Sequence, residues 1–263
     1  MKFYITILII LIFLHTNGQE ANDSVSVKTN GLLEKIKQQG ISDIEKKALT
    51  ANARHFQDKA FEFDEMKNDY GKALEQTEKA MVIYTALKDS VNEANLLKYK
   101  GFLLGHLGQY NEGKKEIYKA AVLFGIKGRA YGVAVSQFDL SKVYEFESMI
   151  DSAIYFANQA LYYWKPEADT FRILTINNQL MNLWIKSNNL NQAKKIHAVT
   201  EPLLKNTDIH WMPLIDYYFL SARLFESLKI KEASGKYEKL YTDKIYELKQ
   251  KNIATKSRYA TQE

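Results

Sequence analysis

Residues 97–120 read LKYKGFLLGHLGQYNEGKKEIYKA, and within them a large residue, two spacers and a small residue, Tyr110-x-x-Gly113, are followed seven positions later by Ala120. Small residues seven apart lie on one helix face, two turns apart, because 3.6 residues make a turn. Glycine or alanine there lets a neighbouring helix approach closely, while the large residue at the turn wedges between the pair. The spacing predicts a helical hairpin. It recurs at Tyr70/Ala73, Ile150/Ala153, Leu190/Ala193 and Ile230/Ala233, a step of forty residues each time, with Ala80, Ala160, Thr200 and Leu240 at the late position. Upstream in the same register stand Ala60, Lys100, Leu140, Leu180 and Leu220. Asn111, Asp151 and Asn191 follow the turn residue and are N-cap types for each second helix. A register held through five copies is an internal repeat. Alternating runs are short, and no Asn-Gly or Asp-Gly turn separates two of them, so an all-α chain is expected.

These residues resemble the tetratricopeptide repeat. The second copy carries Leu97, Gly101, Leu104, Gly108, Tyr110, Gly113 and Ala120 in that family's order and spacing. The third adds Leu140, Tyr144, Ala153, Ala160, Leu161 and a helix-ending Pro166. The resemblance spans Arg54 to Lys249 and implies a right-handed superhelix of about five hairpins. The forty-residue period exceeds the family's usual 34 or so, which calls for longer helices or longer inter-repeat loops. Thr200 and Leu240 replace alanine in the last two copies, where looser packing is expected.

Working outward, residues 31–53 read as an N-terminal helical cap: Leu32, Leu33 and Ile36 form an apolar stripe, and Ser42-x-x-Glu45 is a capping box opening a longer helix. Residues 54–249 are the repeat array and residues 250–263 a C-terminal helical tail. Residues 19–30 (QEANDSVSVKTN) are polar and aperiodic and read as a flexible leader. Residues 1–18 carry Lys2, an apolar run from Phe3 to Leu14 and then Thr16-Asn17-Gly18, the pattern of a cleaved secretory signal peptide. Some twelve apolar residues fall short of the roughly 20 that span a bilayer. An exported, periplasmic or extracytoplasmic protein is therefore expected, meeting a membrane only through an uncleaved signal or a C-terminal anchor beyond Glu263.

The chain has no cysteine, which excludes disulfides, thiolate metal sites and cysteine nucleophiles. Its net charge of +5 is mixed along the chain rather than gathered into a basic stripe, so nucleic acid is not an expected partner. The five histidines show no metal-ligand spacing, and His106 and His197 fall within repeat helices. Gly125 to Arg129 (GIKGR) lacks the full phosphate-loop spacing and reads as an inter-repeat turn with a C-cap glycine. Asp58, Glu62 and Glu65 form a solvated carboxylate stripe. No set of nucleophile, base and oxyanion donor assembles, so neither catalysis nor a cofactor is expected.

By the family resemblance, the fifth and ninth positions of each repeat point into a concave groove. These are Asp58 and Glu62, Lys98 and Phe102, Phe138 and Lys142, Asn178 and Asn182, Tyr218 and Ala222. Asn178 and Asn182 would bond a peptide backbone, Lys98 and Lys142 acidic groups, and Phe102, Phe138 and Tyr218 apolar anchors. Phe102 stands where chaperone-binding relatives carry asparagine beside the lysine, which removes their carboxylate clamp. The expectation is a non-catalytic scaffold for protein or peptide partners. The competing one is the sensory domain of a membrane-bound signalling protein, since Ile230 to Glu263 resembles the helical connector that follows such arrays.

Overall fold

The computed structural model describes residues 24–164, 170–205 and 210–260, with side chains placed for all of these except 24–28, 37–39 and 251–260. The signal segment, Pro166 and the last three residues lie outside them. Eleven α-helices and no strand occur among the described residues. They are α1 (Ser24–Gln39), α2 (Asp43–Phe61, prolonged by a π-helical turn Glu62–Met66), α3 (Tyr70–Ala86), α4 (Ser90–His106), α5 (Tyr110–Ile126), α6 (Ala130–Phe146), α7 (Ile150–Trp164), α8 (Thr170–Lys186), α9 (Leu190–Thr200, then a 3₁₀ turn Glu201–Lys205), α10 (Trp211–Ser227) and α11 (Lys231–Ala260). From α2 onward they pair into five hairpins. The chain divides into two compact units, up to Glu93 and from Ala94 on.

The forty-residue period comes from longer helices, not longer loops. Helices α4, α5 and α6 have 17 residues each, and each of α4 and α5 is followed by only three linking residues. The stop signal is a left-handed residue at the middle of each link: Lys88, Gly108, Gly128, Ser148 and Asn188, with φ between 57° and 77°. Around Gly108 its amide reaches the Gly105 carbonyl at 3.1 Å and the next amide, Gln109, reaches Leu104 at 2.9 Å. Such paired bonds satisfy the orphan carbonyls at a helix end, and glycine or asparagine takes that conformation at least cost. The next helix starts two residues later. Asp69 caps α3 by accepting from the Lys72 amide (3.0 Å), and Asn189 caps α9 through Gln192. The N-cap is thus the residue before the large turn residue. Asn111, Asp151 and Asn191 sit inside the first turn instead.

In the first unit α1 begins at Ser24, within the stretch read as leader. Thr29 is buried and accepts from Asn52 of α2 at 2.8 Å, so this polar segment is held by side-chain bonding rather than apolar periodicity. The capping box is present: Glu45 accepts from the Ser42 amide (2.8 Å) and its own amide bonds Ser42 Oγ. Lys35 of α1, together with Ser42, draws the Glu45 carboxyl down to about 2. Helix α2 then runs unbroken through residues 53 and 54, so cap and first repeat share one helix.

In the second unit the small residues sit where helices meet. A Cβ on Gly101 would fall 2.5 Å from the Gly113 carbonyl oxygen, and one on Gly113 2.6 Å from the Gly101 carbonyl oxygen. Helices α4 and α5 are in backbone contact there, and a methyl has nowhere to go. Ala153, Ala157 and Ala160 are fully buried against Ile176, Leu180 and Leu183 of α8 in one cluster. Thr200 does not loosen the fourth copy. It is buried, accepts from Asn177 (2.9 Å) and donates to the Ile196 carbonyl (2.6 Å).

The fifth hairpin departs from the forty-residue register by one residue. The left-handed residue after α10 is Lys229, 41 positions beyond Asn188, and α10 starts 41 positions after α8. The buried position matching Ala193 is therefore Ser234, not Ala233, and Leu180 matches Ser221, not Leu220. One residue enters between α9 and α10. The hairpin is held to α9 by a buried polar chain in an aromatic box: His197 Nε2 lies 3.0 Å from the Tyr237 hydroxyl, which donates to Glu201 at 2.7 Å, with Tyr217 and Phe225 around the imidazole. Tyr237 has one proton and a carboxylate only accepts, so Nε2 of a neutral His197 is the donor.

Two outcomes follow from this packing. Gly113→Ala should lower the melting temperature by an overpacking cost of about 1–3 kcal/mol. Gly125→Ala, at a helical site where a Cβ meets open space, should raise it by up to about 1 kcal/mol. Equal responses in thermal unfolding would contradict the close approach of α4 and α5. Second, burial, with Lys236 adding to it against the pull of Glu201, holds His197 below its ordinary 6.5. The unfolded chain then binds the proton more readily, so this contribution is complete above pH 6.5 and lost as pH falls through the lowered folded value. The melting temperature of the native chain relative to His197→Gln should drop between pH 7 and pH 5. A constant difference would contradict the buried neutral imidazole.

Candidate functional site

The groove residues expected from the sequence are largely occupied by the protein itself. Lys98 of α4 pairs with Asp139 of α6 at 3.0 Å, both partly buried. Asn178 is only 5% exposed and donates to the Pro213 carbonyl of α10 at 2.7 Å. Asn182 donates to Glu145 of α6 at 2.7 Å. These amides join consecutive hairpins and do not await a peptide backbone. Phe102 packs on His106 and Phe146, with centroids 4.6 and 6.0 Å away. Phe138 lies beside Trp164, with the Lys142 ammonium 5.7 Å above its ring. Tyr218 turns inward against Tyr217 and Tyr237, because the slipped register puts Phe219 and Arg223 at the positions matching Asn178 and Asn182. Asp58 and Glu62 stand exposed in the first unit, Glu62 paired with Lys67.

What the first helices of the later hairpins share instead is a ladder of charges around Glu145. This carboxylate is 8% exposed, and its oxygens are crowded. One accepts from Asn182 (2.7 Å) and Lys186 (2.6 Å), the other from Gln179 (2.7 Å), with Lys142 more distant at 3.8 Å. Burial works to raise the Glu145 carboxyl, but Lys142, Lys186 and Gln179 together hold it below its ordinary value. Burial raises Asp139 despite Lys98, and raises Asp216 of α10 despite Lys142. Lys142 is pushed down by its enclosure, against the pull of Glu145 and Asp216.

Yet 31% of the Lys142 side chain remains open, and Asp216 is exposed. These groups are both poorly hydrated and reachable by solvent. Among the described residues no three histidine or carboxylate side chains converge to hold a metal. The ladder presents fixed charges of both signs and amide dipoles.

Sequence reading found Lys98 and Lys142 but missed Glu145, Asp139, Lys186 and Asp216. A signal for Glu145 exists. In successive copies the buried residue at its position is Gly105, Glu145 and Ile185, so one carboxylate stands where its neighbours are apolar.

No family model and no curated protein matches the sequence. Solved structures do. BtubC (BKLC) from P. vanneervenii superposes with a TM-score of 0.65 at 12% identity, over 88% of this chain and 93% of that one. Kinesin light chain TPR-like repeats from Podosopora anserina give 0.60 at 11% identity, over 76% and 98%. The STAND protein with a tetratricopeptide repeat sensor from Pyrococcus horikoshii gives 0.59 at 16% identity, over 87% of this chain but 37% of that one. Together with the five hairpins, these likenesses show that the chain has the TPR-like helical-repeat fold.

Proposed function

We propose that this chain is an exported, non-catalytic scaffold that holds a protein or peptide partner along the charged ladder of its second unit. The carrying observation is Lys142. Its enclosure has already removed much of its water, and its nearest carboxylate is taken up by Lys186, Gln179 and Asn182. A carboxylate delivered by a partner, from an acidic side chain or a chain terminus, therefore gains attraction at little further desolvation. Phe138, beneath the ammonium, offers the apolar contact beside it. Export is supported by the apolar segment from Phe3 to Leu14 and the small residue Gly18 that follows it.

A second reading, the sensory part of a longer signalling protein, is favoured by α11. At 30 residues it outruns the 17-residue α10 with which it pairs, and a continuous helix can carry a displacement away from the array. Sequence encoded directly downstream of Glu263 with about 20 consecutive apolar residues would favour that role.

Two experiments test the scaffold. Mass spectrometry of the exported protein should find a chain starting near Gln19; intact Met1 in a soluble cytoplasmic fraction would contradict export. A partner captured from a periplasmic extract should bind Lys142→Glu at least tenfold more weakly than the native chain, by calorimetry. That difference should shrink as salt shortens the Debye length below about 8 Å. Tyr155→Ala, on an exposed face of α7, should bind like the native chain. Affinity that ignores Lys142→Glu overturns the ladder as the binding surface.

A further inference from the structure

The position through which Lys98 and Asn178 reach the next hairpin is held by an aromatic ring in the third copy, Phe138 beside Trp164, and again in the fifth. Lys98 on α4 reaches Asp139 on α6, and Asn178 on α8 reaches the Pro213 carbonyl on α10. Forty-one positions after Asn178 comes Phe219 on α10. It is 45% exposed, against 5% for Asn178, and among the described residues Tyr241 of its own hairpin (5.7 Å) and the guanidinium of Arg223 (5.8 Å) lie against the ring. Here the outgoing contact is aromatic.

The pattern around that ring says what covers it. Asp216, Phe219 and Arg223 are spaced three and four apart, so they share one face of α10, with the ring between an exposed acid and a base. Along the axis the acid lies about 4.5 Å to one side and the base about 6 Å to the other. Two such helices packed antiparallel about a two-fold axis, ring against ring, bring Arg223 of each copy beside Asp216 of the other. Self-complementarity of this kind is what an isologous interface requires. We infer that the fifth hairpin is a self-association surface: two copies of this chain join end to end through α10, continuing the hairpin-on-hairpin packing used within each chain. Asp216 also faces Lys142 of the ladder, so the contact is told apart from partner capture by the Phe219 variants, which leave the ladder intact and are read out as self-association.

Sedimentation velocity of the full chain from about 1 to 200 μM, a range that spans typical weak homodimers, should show a concentration-dependent dimer. Phe219→Asp, and Phe219→Ser as a milder change, should weaken it at least tenfold with unchanged helical circular dichroism. Asp216→Arg and Arg223→Asp should each fail to self-associate. Mixed together they should form a heterodimer, because the first variant then carries arginine at both positions and the second aspartate at both, so that each base faces an acid. A native chain that stays monomeric across the range, a dimer indifferent to both Phe219 changes, or a mixture that stays monomeric overturns the proposal.

Discussion

Helices α3, α4, α5, α6, α8 and α10 each have to stop at a set place, and the left-handed residue after each is what makes it stop. Where seventeen-residue helices alternate with three-residue links, from α4 to α6, buried positions stay in line only if each link turns through the same backbone path. The bonds that close the link at Gly108 recur around Lys88, Gly128, Ser148, Asn188 and Lys229. Where glycine or asparagine stands there the conformation costs little; at Lys88, Ser148 and Lys229 it costs about 1 kcal/mol or more, borne by the packing on either side. The helix contacts, the alanine faces and the charged ladder all presuppose those stops.

The fold was legible because its determinant is periodic. Gly101, Gly113, Ala153 and Ala160 are spaced by helix geometry, and that spacing survives where the chemistry at neighbouring positions changes. The site was less legible because its determinant is pairwise. Nothing in one copy says that Asn182 and Lys186 of α8 converge on Glu145 of α6, 37 and 41 residues away. The fifth hairpin misled for another reason: Leu220 and Ala233 continue the forty-residue pattern in sequence, whereas the connector ahead of α10 has moved the structural register by one. His197, read as an ordinary helical histidine, turned out to be enclosed by three aromatic rings contributed by two later helices.

Glu145 shows how consecutive hairpins of the array cohere. Its bonds to Gln179, Asn182 and Lys186 tie α6 to α8, and their price is a carboxylate taken out of water. Deleting any one donor would leave that charge short of compensation, an effect larger than the bond's own net worth. The same crowding leaves Lys142 at 3.8 Å from Glu145, while Lys186 stands at 2.6 Å.

The one-residue slip before α10 has a consequence for how such a chain tolerates change. Each hairpin sets its own phase at its turn, so an added residue displaces everything after it by one place without disturbing any packed face. The links from first to second helix, three residues each, have no such slack, because lengthening one would rotate a helix against its own hairpin partner. Drift in length is thus taken up at the passage from α9 to α10, which works like an expansion joint.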